Sequence, residues 1–143
     1  MPLFRPGKPR IVRRLTSDQA AGATPTPVQW DVDESLGEWA SLTSTTIEVA
    51  IDGYYVCTFG IGHTAGTGAQ PASGRLDHNG LQVAQCWSDS SANFRAASGA
   101  WAGNLVAGDT ILLAAVGALT GGKLMEADVT RLTLARLGPV AWT

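Results

Sequence analysis

Histidine, cysteine and charge are all scarce in this chain of 143 residues. It holds two histidines, His63 and His78, and two cysteines, Cys57 and Cys86. Nucleophilic catalysis needs a serine or cysteine beside a positioned base, and neither histidine lies in a motif that would supply one. These four residues also lack the paired spacing of a zinc site. Two cysteines are too few for a disulfide scaffold, so both thiols are expected free, in a protein made in a reducing cytoplasm. Charged residues are 15% of the chain while 45% is apolar, where about a quarter charged is usual. So little charge fits a surface partly buried against other subunits. No run approaches the roughly 20 apolar residues of a membrane span, and the longest, Ile111 to Val116, is strand-sized. No apolar stretch of secretory-signal length follows the start. The expectation is a protein with no enzymatic activity, no cofactor, no metal and no membrane partner.

The remaining polar clusters point the same way. Asp31, Asp33 and Glu34 lack the turning glycine and following ligands of a calcium loop, and read as a solvated strand end. Gly66-Thr67-Gly68 is followed by neither a helix nor a lysine, so it is no phosphate cradle. His63 reads as a strand-end or loop residue and His78 as a solvent-facing one.

What the chain does have is a lopsided charge distribution. Five of its ten basic residues, Arg5, Lys8, Arg10, Arg13 and Arg14, lie in the first fourteen positions, and no acid precedes Asp18. From Leu15 onward twelve acids face five Lys and Arg. The same segment carries Pro2, Pro6 and Pro9, which fix φ and remove backbone donors, and so argue against a helix or a central strand. Residues 1–27 therefore read as an extended basic arm and linker, and 28–143 as the folded domain. A solvated tail, a nucleic-acid-binding arm and a docking arm are the three readings of this segment. No interleaved aromatics support nucleic acid. The apolar anchors Leu3, Phe4, Ile11, Val12 and Leu15 favour docking on a protein surface, with Phe4, Arg5, Lys8, Arg10, Ile11, Val12, Arg13 and Arg14 as contact residues.

The domain reads as strands. Ile47, Val49 and Ile51 alternate with polar residues, and Tyr55, Cys57, Phe59 and Ile61 continue that parity, as in a long strand pair with one buried face. Asn79-Gly80 marks a hairpin, with residues 81–87 as the returning strand. Ile111 to Val116 is apolar on both faces, as for a central strand, and Val129 to Leu137 alternates again. Phe94, Ala97, Trp101 and Leu105 are also spaced for a helix, but Gly99 and Gly103 would each cost about 1 kcal/mol there, which favours a strand. Tyr55, Phe59, Trp87 and Trp101 read as core. Trp30, Trp39 and Trp142 lie near the ends of the domain, placed to pin an edge or meet a partner. Cys86 has opposite parity to Leu81, Val83 and Trp87, which would aim it away from Cys57.

Ile51-Asp-Gly-Tyr-Tyr-Val-Cys-Thr-Phe59 resembles the signature strand of the tumour-necrosis-factor-like and complement-globular-head jelly rolls. Asn79-Gly80 with its apolar strand is similar to that family's central hairpin. Ala97-Ser-Gly, then Leu105 to Leu113, is similar to its Ser-Gly and Gly-Asp-x-apolar-x-Leu markers. Val129 to Leu134 stands in place of the closing strand. Cys57 replaces a usual Phe, Val129 and Arg131 stand where Phe and Gly are common, and no Gly-x-y stalk precedes the domain. The resemblance covers about Val28 to Leu137. It implies an all-β, antiparallel jelly-roll sandwich that assembles as a homotrimer about an apolar axis, with Tyr55, Phe59, Leu132 and Leu134 at the trimer interface or in the core.

A jelly roll with an attachment arm and no catalytic site resembles the small trimeric proteins that decorate tailed-phage heads. The implied function is a structural virion protein, made in the host cytoplasm, bound outside the capsid to the major capsid protein lattice and stabilising it through its arm. The alternative is a tail or fibre-tip head domain that binds a host receptor.

Overall fold

The computed structural model describes residues 10–20, 25–36, 39–64, 73–87, 94–115, 124–125 and 129–141. Every regular element among them is a strand. In chain order these are β1 (Arg10–Arg14), β2 (Gln19–Ala20), β3 (Thr26–Pro27), β4 (Val32–Leu36), β5 (Ala40–Leu42), β6 (Thr46–Val49) and β7 (Gly53–Thr64). There follow β8 (Ser73–His78), β9 (Leu81–Trp87), β10 (Phe94–Leu105), β11 (Thr110–Ala115), β12 (Leu124–Met125) and β13 (Arg131–Gly138). They form two antiparallel sheets. The seven-stranded sheet runs β2-β12-β7-β13-β1-β4, with β10 on the other flank of β7. The six-stranded sheet runs β5-β6-β11-β8-β9, with β3 also on β11.

Period-two patterning builds the layers, and the apolar parity of each sheet faces the other. Ile11, Tyr55, Cys57, Phe59, Ile61, Leu132 and Leu134 enter the core from one side. Ile47, Val49, Leu76, Ile111 and Leu113 enter it from the other. Asn79 (φ 51°) and Gly80 (φ 79°) close the β8–β9 hairpin in the left-handed region, as an Asn-Gly turn requires. β11 lies between β6 and β8, in the central position its apolar run predicts. Residues 94–105 form one strand, paired along its whole length with β7.

Several expectations are corrected. The run from Ile47 to Ile61 is not one strand pair. β6 and β7 lie in different sheets, and the chain crosses between them at Ala50 to Asp52. Both strands fill the same core from opposite sides, which explains the continuous parity, and Ile51 at the crossing is exposed.

The arm boundary also moves. Arg10–Arg14 is an interior strand of the seven-stranded sheet, between β13 and β4. The prolines that argue against a strand all precede Arg10, and Ile11, Arg13 and Leu15 are buried. Val28, the expected start of the domain, is already inside the core.

The β8–β9 register slips by one residue, with Leu76 opposite Ala84 and Asp77 opposite Gln82. Parity read from Leu81 therefore does not carry through to Trp87. Cys86 turns inward and joins Cys57 in the core, whereas Trp87 is 68% exposed. Trp30 and Trp39 are core residues, and Trp39 stacks on Tyr55 at 5.7 Å. Phe4, Arg5, Lys8, Gly66-Thr67-Gly68, Val116 and Trp142 lie outside the described residues.

Candidate functional site

A sandwich has two outer faces, and that of the seven-stranded sheet carries the candidate site. Strand register arranges its side chains in rows. One row is Val32, Arg14, Arg131, Gly60 and Ser98. The next is Glu34, Val12, Thr133, Thr58 and Ala100. Beyond it Arg10, Ala135, Val56 and Ala102 line up. On β7 and β10 the row members are small, apolar or hydroxylic. The charged members sit on β1, β4 and β13. A groove of about 890 Å³ opens across this face, lined by residues that include Val12, Arg14, Glu34, Thr58, Ser98 and Arg131.

Sequence reasoning missed this face, although a signal existed. Ala96, Ser98, Ala100 and Ala102 occupy every second position of β10 and are exposed. They alternate with Ala97, Trp101 and Leu105, which are buried or packed against the core. Small residues on one parity of a long strand let a second backbone approach closely. Tyr55, Phe59, Leu132 and Leu134 point the other way, and all four are buried between the sheets. They are core residues, not members of the open face.

The basic cluster is divided between two environments. Alternation sends Ile11 and Arg13 inward, and Val12 and Arg14 outward. Arg13 is 1% exposed and reaches across the sandwich. Its Nε donates to Asp33 Oδ1 at 2.6 Å and its second guanidinium nitrogen to Asp33 Oδ2 at 3.1 Å. It also donates to the Thr46 carbonyl at 3.0 Å and to the Thr43 carbonyl, and its guanidinium lies 5.9 Å from the Trp30 ring centroid. Arg13 thus ties β1 and β4 to the β5–β6 turn of the opposite sheet. Arg14 instead pairs with Glu34 at 2.8 Å in an exposed bridge, and Arg10 is exposed.

The acidic cluster is therefore committed rather than freely solvated. Asp33 holds Arg13, Glu34 holds Arg14, and Asp31 accepts from the Thr16 amide at 2.8 Å and the Ser17 hydroxyl at 3.2 Å. No group of three metal-ligating residues occurs among the described residues.

A second polar hub binds the two turns at one end of the sandwich. Asp109, after Gly108 (φ 95°), accepts from the Val106 amide at 3.0 Å and from Asn79 Nδ2 at 2.9 Å. His78 Nε2 lies 2.9 Å from Oδ2, the oxygen that also accepts from the Val106 amide, and the His78 ring sits 5.8 Å from that of Trp101. His78 is therefore a half-buried, bonded residue and not a solvent-facing one. Burial raises the Asp109 pKa, but hydrogen bonds from Asn79, Val106 and His78 outweigh it and hold the carboxyl below its ordinary value. The pair ties the β8–β9 turn to the turn before β11, with the Thr110 amide donating to Asn79 Oδ1 at 2.8 Å in the same cluster. Cys57 and Cys86 are free and buried, and desolvation pushes the Cys57 thiol up to about 12. A thiol held neutral in this way is neither a nucleophile nor a metal ligand at neutral pH.

No protein-family model matches the sequence, and a search of curated proteins gives no match either. Solved structures do resemble the fold. Murine APRIL superposes with a TM-score of 0.73 over 91% of this chain and 99% of its own, at 14% identity. The globular domain of zebrafish complement 1qA gives 0.69 over 91% and 98%, at 12% identity. Eiger TNF from S. frugiperda gives 0.67 over 96% and 97%, at 20% identity. At such identities the likeness is one of architecture, and the chain has the tumour-necrosis-factor-like jelly-roll fold.

Proposed function

We propose that the protein is a non-enzymatic, homotrimeric virion component that decorates the outside of a tailed-phage head. The observation that carries the assembly step is the open face of the seven-stranded sheet. Its β7–β10 half is small and uncharged, while its β1–β4 half carries Arg10, Arg14 and Glu34. A two-fold contact must be self-complementary, whereas a head-to-tail contact joins two different patches and closes into a ring. Two unlike halves can meet in either arrangement, so the choice of a closed ring rests on the family resemblance. Three copies are the number implied by the family resemblance.

Attachment to the capsid lattice is assigned to the chain before β1. With Arg13 committed to the core and Arg14 to Glu34, its contacts reduce to Phe4, Arg5 and Lys8, with exposed Arg10 at its end. Each arm is weak, but three arms on one trimer bind a lattice with avidity. The sandwich presents no assembled catalytic constellation among the described residues, which fits a structural role.

The test has two stages. Sedimentation of the full chain at micromolar concentration should give a trimer, and Ala100→Arg, which places a long cation on the small-residue half, should give a folded monomer. A wild-type monomer would defeat the assembly step. Co-sedimentation with undecorated phage shells should then retain the full chain and lose a variant lacking residues 1–9. Equal retention of both would move the contact to the sandwich. The fibre-tip reading is favoured by one feature, the exposed Leu81 and Trp87 on β9, which is the edge strand of the six-stranded sheet. Binding to host cells that is lost in Trp87→Ala would support it over decoration.

A further inference from the structure

The groove on the open face holds an unbalanced charge. Arg14 and Arg131 stand directly opposite each other on β1 and β13, and both line the groove. Like charges opposed across neighbouring strands repel. Among the described residues Glu34 is the one carboxylate in the lining, and Arg14 already holds it at 2.8 Å. Arg131 is exposed and has no acid partner among the described residues. Three hydroxyls, those of Thr58, Ser98 and Thr133, line the same groove, and none is bonded to another described side chain.

We infer that this groove binds a phosphate-class oxyanion between Arg131 and Arg14, with the threonine and serine hydroxyls as further donors. Guanidinium presents a planar fork of N–H donors that fits an oxyanion in bidentate fashion; Arg131 offers its whole fork, and Arg14 the donors that Glu34 leaves free. The inference rests on the open face being the subunit contact, and it deepens that reading by naming what the contact must enclose. A copy docked on this face has, within the described rows, only its own Glu34 to offer, and its own Arg14 already occupies that carboxylate. Among the described residues no further carboxylate balances Arg131, which leaves room for a separate anion. Enclosure between subunits removes water from the guanidinium groups and raises the benefit of pairing them. Trimer assembly should accordingly be coupled to anion binding.

The probe is inorganic phosphate, titrated calorimetrically into the full chain at constant ionic strength, with chloride as the balancing anion. Arg131→Gln should weaken phosphate binding by about tenfold or more, as loss of a charge-assisted hydrogen bond predicts. Arg75→Gln, the same charge change on the six-stranded sheet, should leave it unchanged. Sedimentation in parallel should show more trimer in phosphate than in chloride for the wild type and for Arg75→Gln, and no phosphate effect for Arg131→Gln. Equal phosphate binding by wild type and Arg131→Gln, or none by wild type, overturns the site. A trimer that forms equally in both anions overturns the coupling and leaves the proposed assembly standing. A monomer in both anions defeats the assembly itself, and binding that is still lost in Arg131→Gln would then retain the groove as an anion site of the single subunit.

Discussion

Replacing Arg13 with alanine separates the roles that the sequence and the structure assign to the basic segment. As part of a docking arm, Arg13 would contribute to binding and little to stability. As a residue 1% exposed, with its guanidinium on Asp33, Thr43 and Thr46, it holds two sheets together. Removing one partner of a buried ion pair typically costs about 3–5 kcal/mol. The Asp33 side chain is 32% exposed, so water recovers part of its solvation, and the low end, about 3 kcal/mol, is expected. For a urea m-value of about 2 kcal/mol/M this is a midpoint shift of roughly 1.5 M. Protomer concentration must be fixed, because the proposed assembly would add to apparent stability. Arg13→Lys should lose less but not recover fully, since an ammonium cannot reproduce the fork on Asp33 together with the bonds to the Thr43 and Thr46 carbonyls. In a double-mutant cycle, Arg13→Ala combined with Asp33→Ala should cost little more than Arg13→Ala alone. A midpoint shift for Arg13→Ala below about 0.5 M, with shell binding abolished, would refute the buried-tie reasoning and restore the arm reading.

Other outcomes follow from the same geometry. Deleting residues 1–9 should leave circular dichroism and trimer content unchanged, whereas deleting 1–14 removes β1 from between β13 and β4 and should yield insoluble or unfolded protein. Asp109 has a folded pKa below its ordinary value despite burial, so its contribution is present above the unfolded value of about 3.9 and lost as pH falls through the folded value. Asp109→Asn should therefore be less stable at neutral pH and show a flatter acid limb below about pH 4, as read by thermal denaturation. Iodoacetamide at pH 8 should modify neither Cys57 nor Cys86 in the native protein and both in denaturant, because burial raises both thiols; rapid native labelling would place one at the surface. A Cβ on Gly99 would sit 2.7 Å from Phe59 Cζ, so Gly99→Ala should destabilise by about 1–3 kcal/mol, and Phe59→Leu should relieve part of that loss in the double variant.

Local pattern revealed most of the strands, because period-two alternation and turn chemistry are properties of neighbouring residues. The Asn79-Gly80 hairpin, central β11 and the closing strand with Leu132 and Leu134 were all legible on this basis. Sheet membership was not. Ile47 to Ile61 kept one parity across a change of sheet, since two sheets facing one core impose the same inward rule on both. Nor could parity survive the slipped register after Leu76, where one extra residue reversed the expectations for Cys86 and Trp87. The open face was the least legible feature. Its residues are small and polar, like those of any solvated surface, and only the register of β10 on β7 brings Ser98 and Ala100 beside Gly60 and Thr58.

The basic segment shows why composition and geometry disagree about function. Charge clustering treats Arg13 and Arg14 as one feature, yet in a strand successive side chains leave by opposite faces. Arg13 goes into the sandwich and meets Asp33, whereas Arg14 goes out to the groove and meets Glu34. The two acids are themselves successive residues on β4, so their pairing repeats the same division one strand away. Half of what looks like an attachment arm is thus spent on folding. The positive charge that the segment leaves over lies before β1 and on exposed Arg10, to which the proposed lattice binding is assigned, while Arg131 in the groove is the residue on which the proposed assembly depends. Substitutions before Arg10 should then change shell affinity and its salt dependence without changing the trimer. Substitutions at Arg131 should change the trimer and its response to phosphate, and reach shell affinity only through the loss of avidity.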